Sequence, residues 1–157
     1  MNRMRTTTAV LATTGLLAAA QLGLAGGAFA AAQTPKATGC PIDIVYPSRF
    51  YIGSNHWVTN GGLYFGVKSR TASSFKRVTF TITDNKNLRF GRARATGGRI
   101  THNSSTSVSV YAGTLKGRAS LGMRIPTHLL NTRSYGVKFT LHGSGWNCAV
   151  NQGTWGN

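Results

Sequence analysis

Hydrolytic chemistry in a protein normally draws on paired carboxylates, a nucleophile with its base, or a metal cluster. This chain of 157 residues holds two acidic side chains, Asp43 and Asp84, and no glutamate. Asp43 falls in an alternating, strand-like run. Asp84 opens an Asp-Asn-Lys-Asn turn sequence, where a carboxylate ordinarily caps backbone N–H groups. Four histidines, His56, His102, His128 and His142, are widely spaced with no HxH, HxxxH or Cys-His pattern, so no metal and no other cofactor is expected. One chemistry needs no carboxylate: two histidines and a lysine such as Lys68 or Lys138 can cleave RNA by general acid–base catalysis while cations hold the phosphate. Spacing favours no pair of histidines for it, and surface loops or strand ends are their plainer place. The chain is read as non-enzymatic.

The cations carry more information. Lys86, Arg89, Arg92, Arg94 and Arg99 fall within fourteen positions, and Lys116, Arg118 and Arg124 form a second group. Outward residues of neighbouring strands lie side by side, so the two groups are expected to merge into one basic face suited to phosphate and other polyanions. Tyr51, Trp57, Tyr64, Tyr111, Trp146 and Trp155 are the aromatics able to stack on sugars or bases. Trp57 and Trp146 suit core packing at least as well, whereas Trp155 is expected to expose its ring.

The elements that must position these residues begin after residue 30. Arg3 and Arg5 precede an Ala-, Leu- and Gly-rich run that ends at Ala28-Phe29-Ala30, the pattern of a secretory signal peptide cut after Ala30. An uncleaved membrane anchor is the alternative, but the run is weakly hydrophobic for a span. Residues 31–39 read as a disordered mature tail, and 40–157 as one domain. Of 18 Lys and Arg, two belong to the signal, so the mature charge is 16 − 2 = +14. Such a balance attracts polyanions in a salt-sensitive way. Cys40 and Cys148 stand near the two ends of the mature chain, and in a secreted protein they are expected to form one disulfide that staples the first strand to the last. Closing that loop stabilises by about 4–5 kcal/mol on chain-entropy grounds. Thr38-Gly39-Cys40 read as a lipobox is the alternative, against which stand the polar residues that separate it from the apolar run.

Within the domain the period is two throughout. Ile42, Ile44 and Tyr46 alternate with Asp43 and Val45, and Phe50–Ile52 forms a short strand or extended connection. Asn60-Gly61 is a turn, and Leu63, Phe65 and Val67 share one face of the next strand. Val78, Phe80 and Ile82 alternate with Thr79, Thr81 and Thr83, and after the Asp84–Asn87 turn Leu88 and Phe90 resume the pattern. Strict alternation beyond Phe90 would bury Arg92 and Arg94, so a bulge or bend is expected at Gly91, burying Ala93 and Ala95 and turning both arginines outward. Further on, 102–106 reads as a polar loop, 107–112 as a strand and 112–117 as a turn. Leu121, Met123 and Ile125 lie on a strand stopped by Pro126, Leu129-Leu130 on one short helical turn, 135–141 on a strand, and 146–150 on the return to Cys148. No helical period appears. The expected fold is an all-β, antiparallel β-sandwich of about seven to nine strands, with a closed barrel as the alternative.

The succession Leu63–Lys68, Ala72–Asp84 with its Thr-rich strand, Leu88-Arg89-Phe90, Ala95-Thr96-Gly97-Gly98 and Ala112–Ser120 with its Gly113-Thr114-Leu115-Lys116-Gly117 turn resembles the bacterial surface immunoglobulin-like repeats of the DUF11 type. The resemblance spans about half of the chain. It lacks the Leu-Pro that commonly follows the Asp in those repeats, and this domain is basic and stands alone. It implies an immunoglobulin-like sandwich on or outside the cell, with no catalytic residue to carry over. Charge and pattern together point to a secreted, extracellular or loosely wall-attached monomer that binds teichoic acid, acidic polysaccharide or extracellular nucleic acid without sequence preference. A secreted toxin or antimicrobial antagonist is the alternative, though the chain lacks an amphipathic cationic helix.

Overall fold

The computed structural model describes residues 41–144 and 152–157. The signal-like segment, the tail, both cysteines with their expected disulfide, and residues 146–150 lie outside the described residues. Eleven strands follow one another among the described residues: β1 Ile42–Val45, β2 Leu63–Ser69, β3 Phe75–Lys86, β4 Leu88–Phe90, β5 Arg94–Thr96, β6 Arg99–Asn103, β7 Ser107–Leu115, β8 Ser120–Ile125, β9 Thr127–Leu129, β10 Gly136–Ser144 and β11 Gln152–Gly156. All strand pairings are antiparallel. A four-stranded sheet has the order β1-β2-β8-β5 and a five-stranded sheet the order β11-β10-β3-β7-β6, while β4 and β9 pair apart from both. No pairing joins the two large sheets among the described residues, so the fold is a stack of sheets rather than a closed barrel.

The core lies between the sheets and follows the alternation. Val78, Phe80 and Ile82 of β3 are fully buried, flanked in register by Val108 and Val110 of β7 and by Phe139 and Leu141 of β10. Phe65 and Val67 of β2 and Leu121, Met123 and Ile125 of β8 supply the opposing layer. Each such side chain contributes roughly 1.5–3 kcal/mol by leaving water.

Four local expectations need correction. The strand β3 runs to Lys86, so the turn contracts to Asn87, held at φ 57°. Asp84 makes that corner possible: its Oδ1 accepts from the backbone N–H of Lys86 and of Leu88, both at 3.0 Å. Residues 112–117 are not a turn, because β7 pairs with β3 out to Leu115 opposite Phe75, leaving only 116–119 to reverse the chain. His102 and Asn103 belong to β6, paired with Ser109 and Val108, and are not loop residues. Leu129 lies in β9 and not in a helical turn, since Thr127 and Leu129 are buried while His128 between them is not.

The break at Gly91 has the expected consequence. Phe90 pairs with Thr127 and Arg94 with Arg124, so the three residues 91–93 face the two residues 125–126. This one-residue excess is a bulge, and it keeps Arg92 and Arg94 exposed while Ala93 is buried and Ala95 packs against the core. Pro126 occupies the middle of the bend. It has no N–H to give, and its carbonyl accepts from Gly91 N–H at 2.7 Å. Asn103 fills the backbone positions that the bulge leaves open, accepting from Ala93 N–H at 2.7 Å and donating to the Gly91 carbonyl at 3.1 Å. Thus β4–β5 and β8–β9 form one bent ribbon.

Candidate functional site

The outward side of this ribbon collects cations and aromatics in two cross-strand rows. In the upper row Arg94 of β5 pairs with Arg124 of β8, which pairs with Tyr64 of β2. In the lower row Arg89 of β4 pairs with His128 of β9, which is bridged to Trp57. Alternation turns these residues out, because Leu88, Phe90, Thr127, Leu129 and Val58 are buried beside them. Arg92 lies exposed between the rows, at the edge of an open depression that it shares with Ala93, Ile100 and Asn103.

The upper row is built for placement. Arg124 Nη1 donates to the carbonyls of Asn60 and Gly62, each at 3.2 Å, so the Asn60-Gly61 turn anchors the guanidinium. The same guanidinium lies 5.9 Å from the Tyr64 ring centroid. Beneath it the Tyr64 ring rests on Gly66 and Gly122, where a β-carbon on Gly66 would come within 3.0 Å of the tyrosine hydroxyl. Two glycines paired across β2 and β8 therefore vacate the floor on which the ring lies flat.

The lower row owes its shape to a tight hairpin. His56 N–H donates to the Gly53 carbonyl at 3.0 Å and Gly53 N–H to the Trp57 carbonyl at 2.9 Å, with His56 at φ 62°. This is a three-residue loop whose last residue takes the left-handed conformation, a position that favours glycine. The His56 carbonyl then accepts from Leu129 N–H at 3.0 Å. The result is a contiguous set of rings: His56 stacks on His128 at 6.3 Å, and Trp57 lies 5.2 Å from His128. Trp57 is 40% exposed and Tyr51, in the same hairpin, 73%.

Electrostatically the ribbon is open. Asp43 binds Arg70 at 3.3 Å and Asp84 binds Arg89 at 3.0 Å, so each of the two acidic side chains closes on an arginine. Arg89 is thereby oriented, with nearly half of its side chain still exposed.

Of the eight cations expected to form one face, the ribbon brings together Arg89, Arg92, Arg94 and Arg124. The other four lie elsewhere. Lys86 sits at the end of β3 with its Nζ donating to the Asn157 carbonyl at 3.2 Å. Arg99 is on β6, beside the Tyr111 ring at 5.5 Å on the outer side of the other sheet. Lys116 and Arg118 lie within the β7–β8 turn. Two groups near in sequence are split because β6 crosses to the second sheet immediately after β5.

The histidines also divide. His102 and His142 lie with Lys138 in the five-stranded sheet and Lys68 in the four-stranded one, so the only histidines in ring contact among the described residues are His56 and His128. Among the described residues no group of three or more His, Cys, Asp or Glu is placed to hold a metal. Trp155 contradicts expectation: it is buried, donates Nε1–H to the Pro47 carbonyl at 3.0 Å, and packs against Phe50, Phe65 and Tyr135. Burial of that cluster pushes the Tyr135 hydroxyl pKa up from its ordinary value. Sequence reasoning did not pair His128 with Trp57. The usable signal was Gly53-Ser-Asn-His-Trp57, whose length suits a three-residue hairpin loop.

No protein-family model matches the chain and no curated protein sequence matches it. Among solved structures it is similar to ACE19, the collagen binding subdomain of the Enterococcus faecalis surface protein ACE, at 5% identity and a TM-score of 0.45, over 73% of this chain and 93% of that one. At that score the likeness decides nothing about what this chain binds.

Proposed function

We propose that this is a secreted, strongly basic, non-enzymatic immunoglobulin-like module that binds anionic polymer at the cell envelope or in the surrounding matrix. The ligand class comprises teichoic acid, acidic polysaccharide and extracellular nucleic acid. The observation that carries the reading is Arg94 directly opposite Arg124. Like charges in register across two strands destabilise a sheet. Here both carboxylates are engaged by other arginines, and Arg124 is fixed by two carbonyls, so the pair is held ready for an external anion. The kinship to DUF11-type repeats and the extracellular location belong to the same proposal.

The test is retention on immobilised teichoic acid, heparin and nucleic acid at low ionic strength, followed by a salt gradient. Wild-type protein should be retained and elute steeply with salt. On nucleic acid, R94Q/R124Q should flatten the log–log salt dependence by about 1.4 for single strands to about 1.8 for duplex, the share of two phosphate contacts. Free passage through all three resins at low salt would overturn the proposal. RNA incubated with the protein should be recovered intact, and cleavage that disappears in H128A would replace the binding reading with a catalytic one.

A further inference from the structure

We infer that the bent ribbon is a platform for single-stranded nucleic acid, with bases stacking on Trp57 and on the Arg124–Tyr64 pair and phosphates lying along Arg89, Arg92 and Arg94. The inference rests on the polyanion reading and names its ligand. The two rows share one order: an aromatic on one side (Tyr64 of β2, or Trp57 of the hairpin), a nitrogen-bearing side chain of β8–β9 in the middle, and an arginine of β4–β5 on the other side. Read along the ribbon, this gives an aromatic rail parallel to a cationic rail. Directly opposed residues lie about 5 Å apart, so each row spans roughly 10 Å from ring to outer arginine, the scale on which one nucleotide carries its base away from its phosphate.

The ligand class follows from what each rail recognises. Phosphate or sulfate on any polymer would engage the arginines. A sugar ring can pack on these aromatics at some positions, but a ligand with a flat π-face gains most from them, and bases supply one at every residue regardless of sequence. Trp57 is presented for that use: the hairpin holds it on the outward side while its neighbour Val58 enters the core. Arg124 offers a guanidinium plane over the Tyr64 ring, and guanidinium planes stack bases as aromatic rings do. A duplex hides the faces of its bases, so duplex DNA can use the cationic rail but not the aromatic one. Teichoic acid, a polyol phosphate, likewise has no ring to stack.

Fluorescence anisotropy at fixed low salt tests this with labelled oligo(dT), oligo(U), a duplex of equal length, and unlabelled teichoic acid as competitor. W57A should weaken single-strand binding about tenfold, the loss of one base–ring stacking contact. It should change duplex binding and teichoic acid competition less than twofold, and W57F should keep most of the single-strand affinity. R94Q/R124Q should weaken all of these ligands together. The inference is overturned if W57A leaves single-strand binding unchanged, or lowers single-strand and duplex binding equally. If in either case R94Q/R124Q still reduces every ligand, the polyanion reading stands without it. If wild type binds none of the polymers, both fall. Thermal melting of W57A and W57F checks that the comparison is between folded proteins.

Discussion

The two outer faces of the sandwich use opposite chemistry. On the five-stranded sheet, Lys138, Thr83 and Ser107 form one cross-strand row and Thr140, Thr81, Ser109 and His102 the next. Short hydroxyl side chains dominate and satisfy one another: Thr81 Oγ1 and Ser109 Oγ lie 2.8 Å apart, and Thr83 and Ser107 make a looser contact at 3.4 Å. Threonine favours the strand conformation, and paired hydroxyls stabilise a sheet surface. The ribbon on the other side accumulates features that a sheet ordinarily avoids. Two arginines stand opposite each other and two glycines lie in mid-strand under a tyrosine, while left-handed residues occur on both sides, His56 here and Arg77 in β3. One face is arranged for its own stability, and the other gives up stability to hold particular groups in place.

The largest effect should come from removing what lies between the faces. W155A deletes the ring that meets Phe50, Phe65 and Tyr135 and leaves the Pro47 carbonyl without its donor, at a cost of about 3–5 kcal/mol measured by chemical denaturation. Next, T81V alone should cost about 1 kcal/mol by leaving Ser109 without its partner. Replacing both with valine should return stability to near wild type, because both polar groups are then gone. Neither change should alter polyanion retention, and loss of retention in the double variant would erase the contrast between the faces. H56G should do the reverse of T81V. It relieves the left-handed strain and stabilises by about 1 kcal/mol, while removing the ring stacked on His128 and lowering ligand affinity. The smallest effect concerns Tyr135. Its hydroxyl pKa is raised by burial, so the stabilising contribution is complete below the unfolded value near 10 and is lost as pH rises through the folded value. Y135F should show a shallower loss of stability above pH 10 than wild type, read from melting temperatures at matched pH.

Much of the fold was legible because its signals are local. The alternation of Val78, Phe80 and Ile82 with threonines needed only a period of two, and the bulge near Gly91 followed from the cost of burying Arg92 and Arg94. The reading failed where pairing partners at long sequence separation decide the outcome. Gly113 and Thr114 look like turn residues, yet β3 offers them backbone partners and the strand continues. Trp155 looked exposed from its place in the sequence, but β11 pairs with β10 and turns the ring into the core. The site was half legible for the same reason. Arg89, Arg92 and Arg94 are neighbours in sequence and remain neighbours in space. Their association with Arg124, His128 and Trp57 arises from register, while Arg99, Lys116 and Arg118 are separated from them by topology that charge runs do not encode.

The bulge at 91–93 also makes segment length a determinant of shape. With three residues facing two, the strand from Leu88 to Ala95 is one residue longer than an unbroken ribbon requires. Deleting Arg92 would leave Phe90 inward, Gly91 outward, Ala93 inward and Arg94 outward, a regular alternation with no bend. Every remaining side chain would keep its polarity pattern, yet the corner that holds Leu88, Phe90 and Leu129 against the core would straighten. The segment is therefore far more sensitive to a deletion of one codon than to most substitutions within it, and the bent and straight ribbons are near neighbours in sequence space.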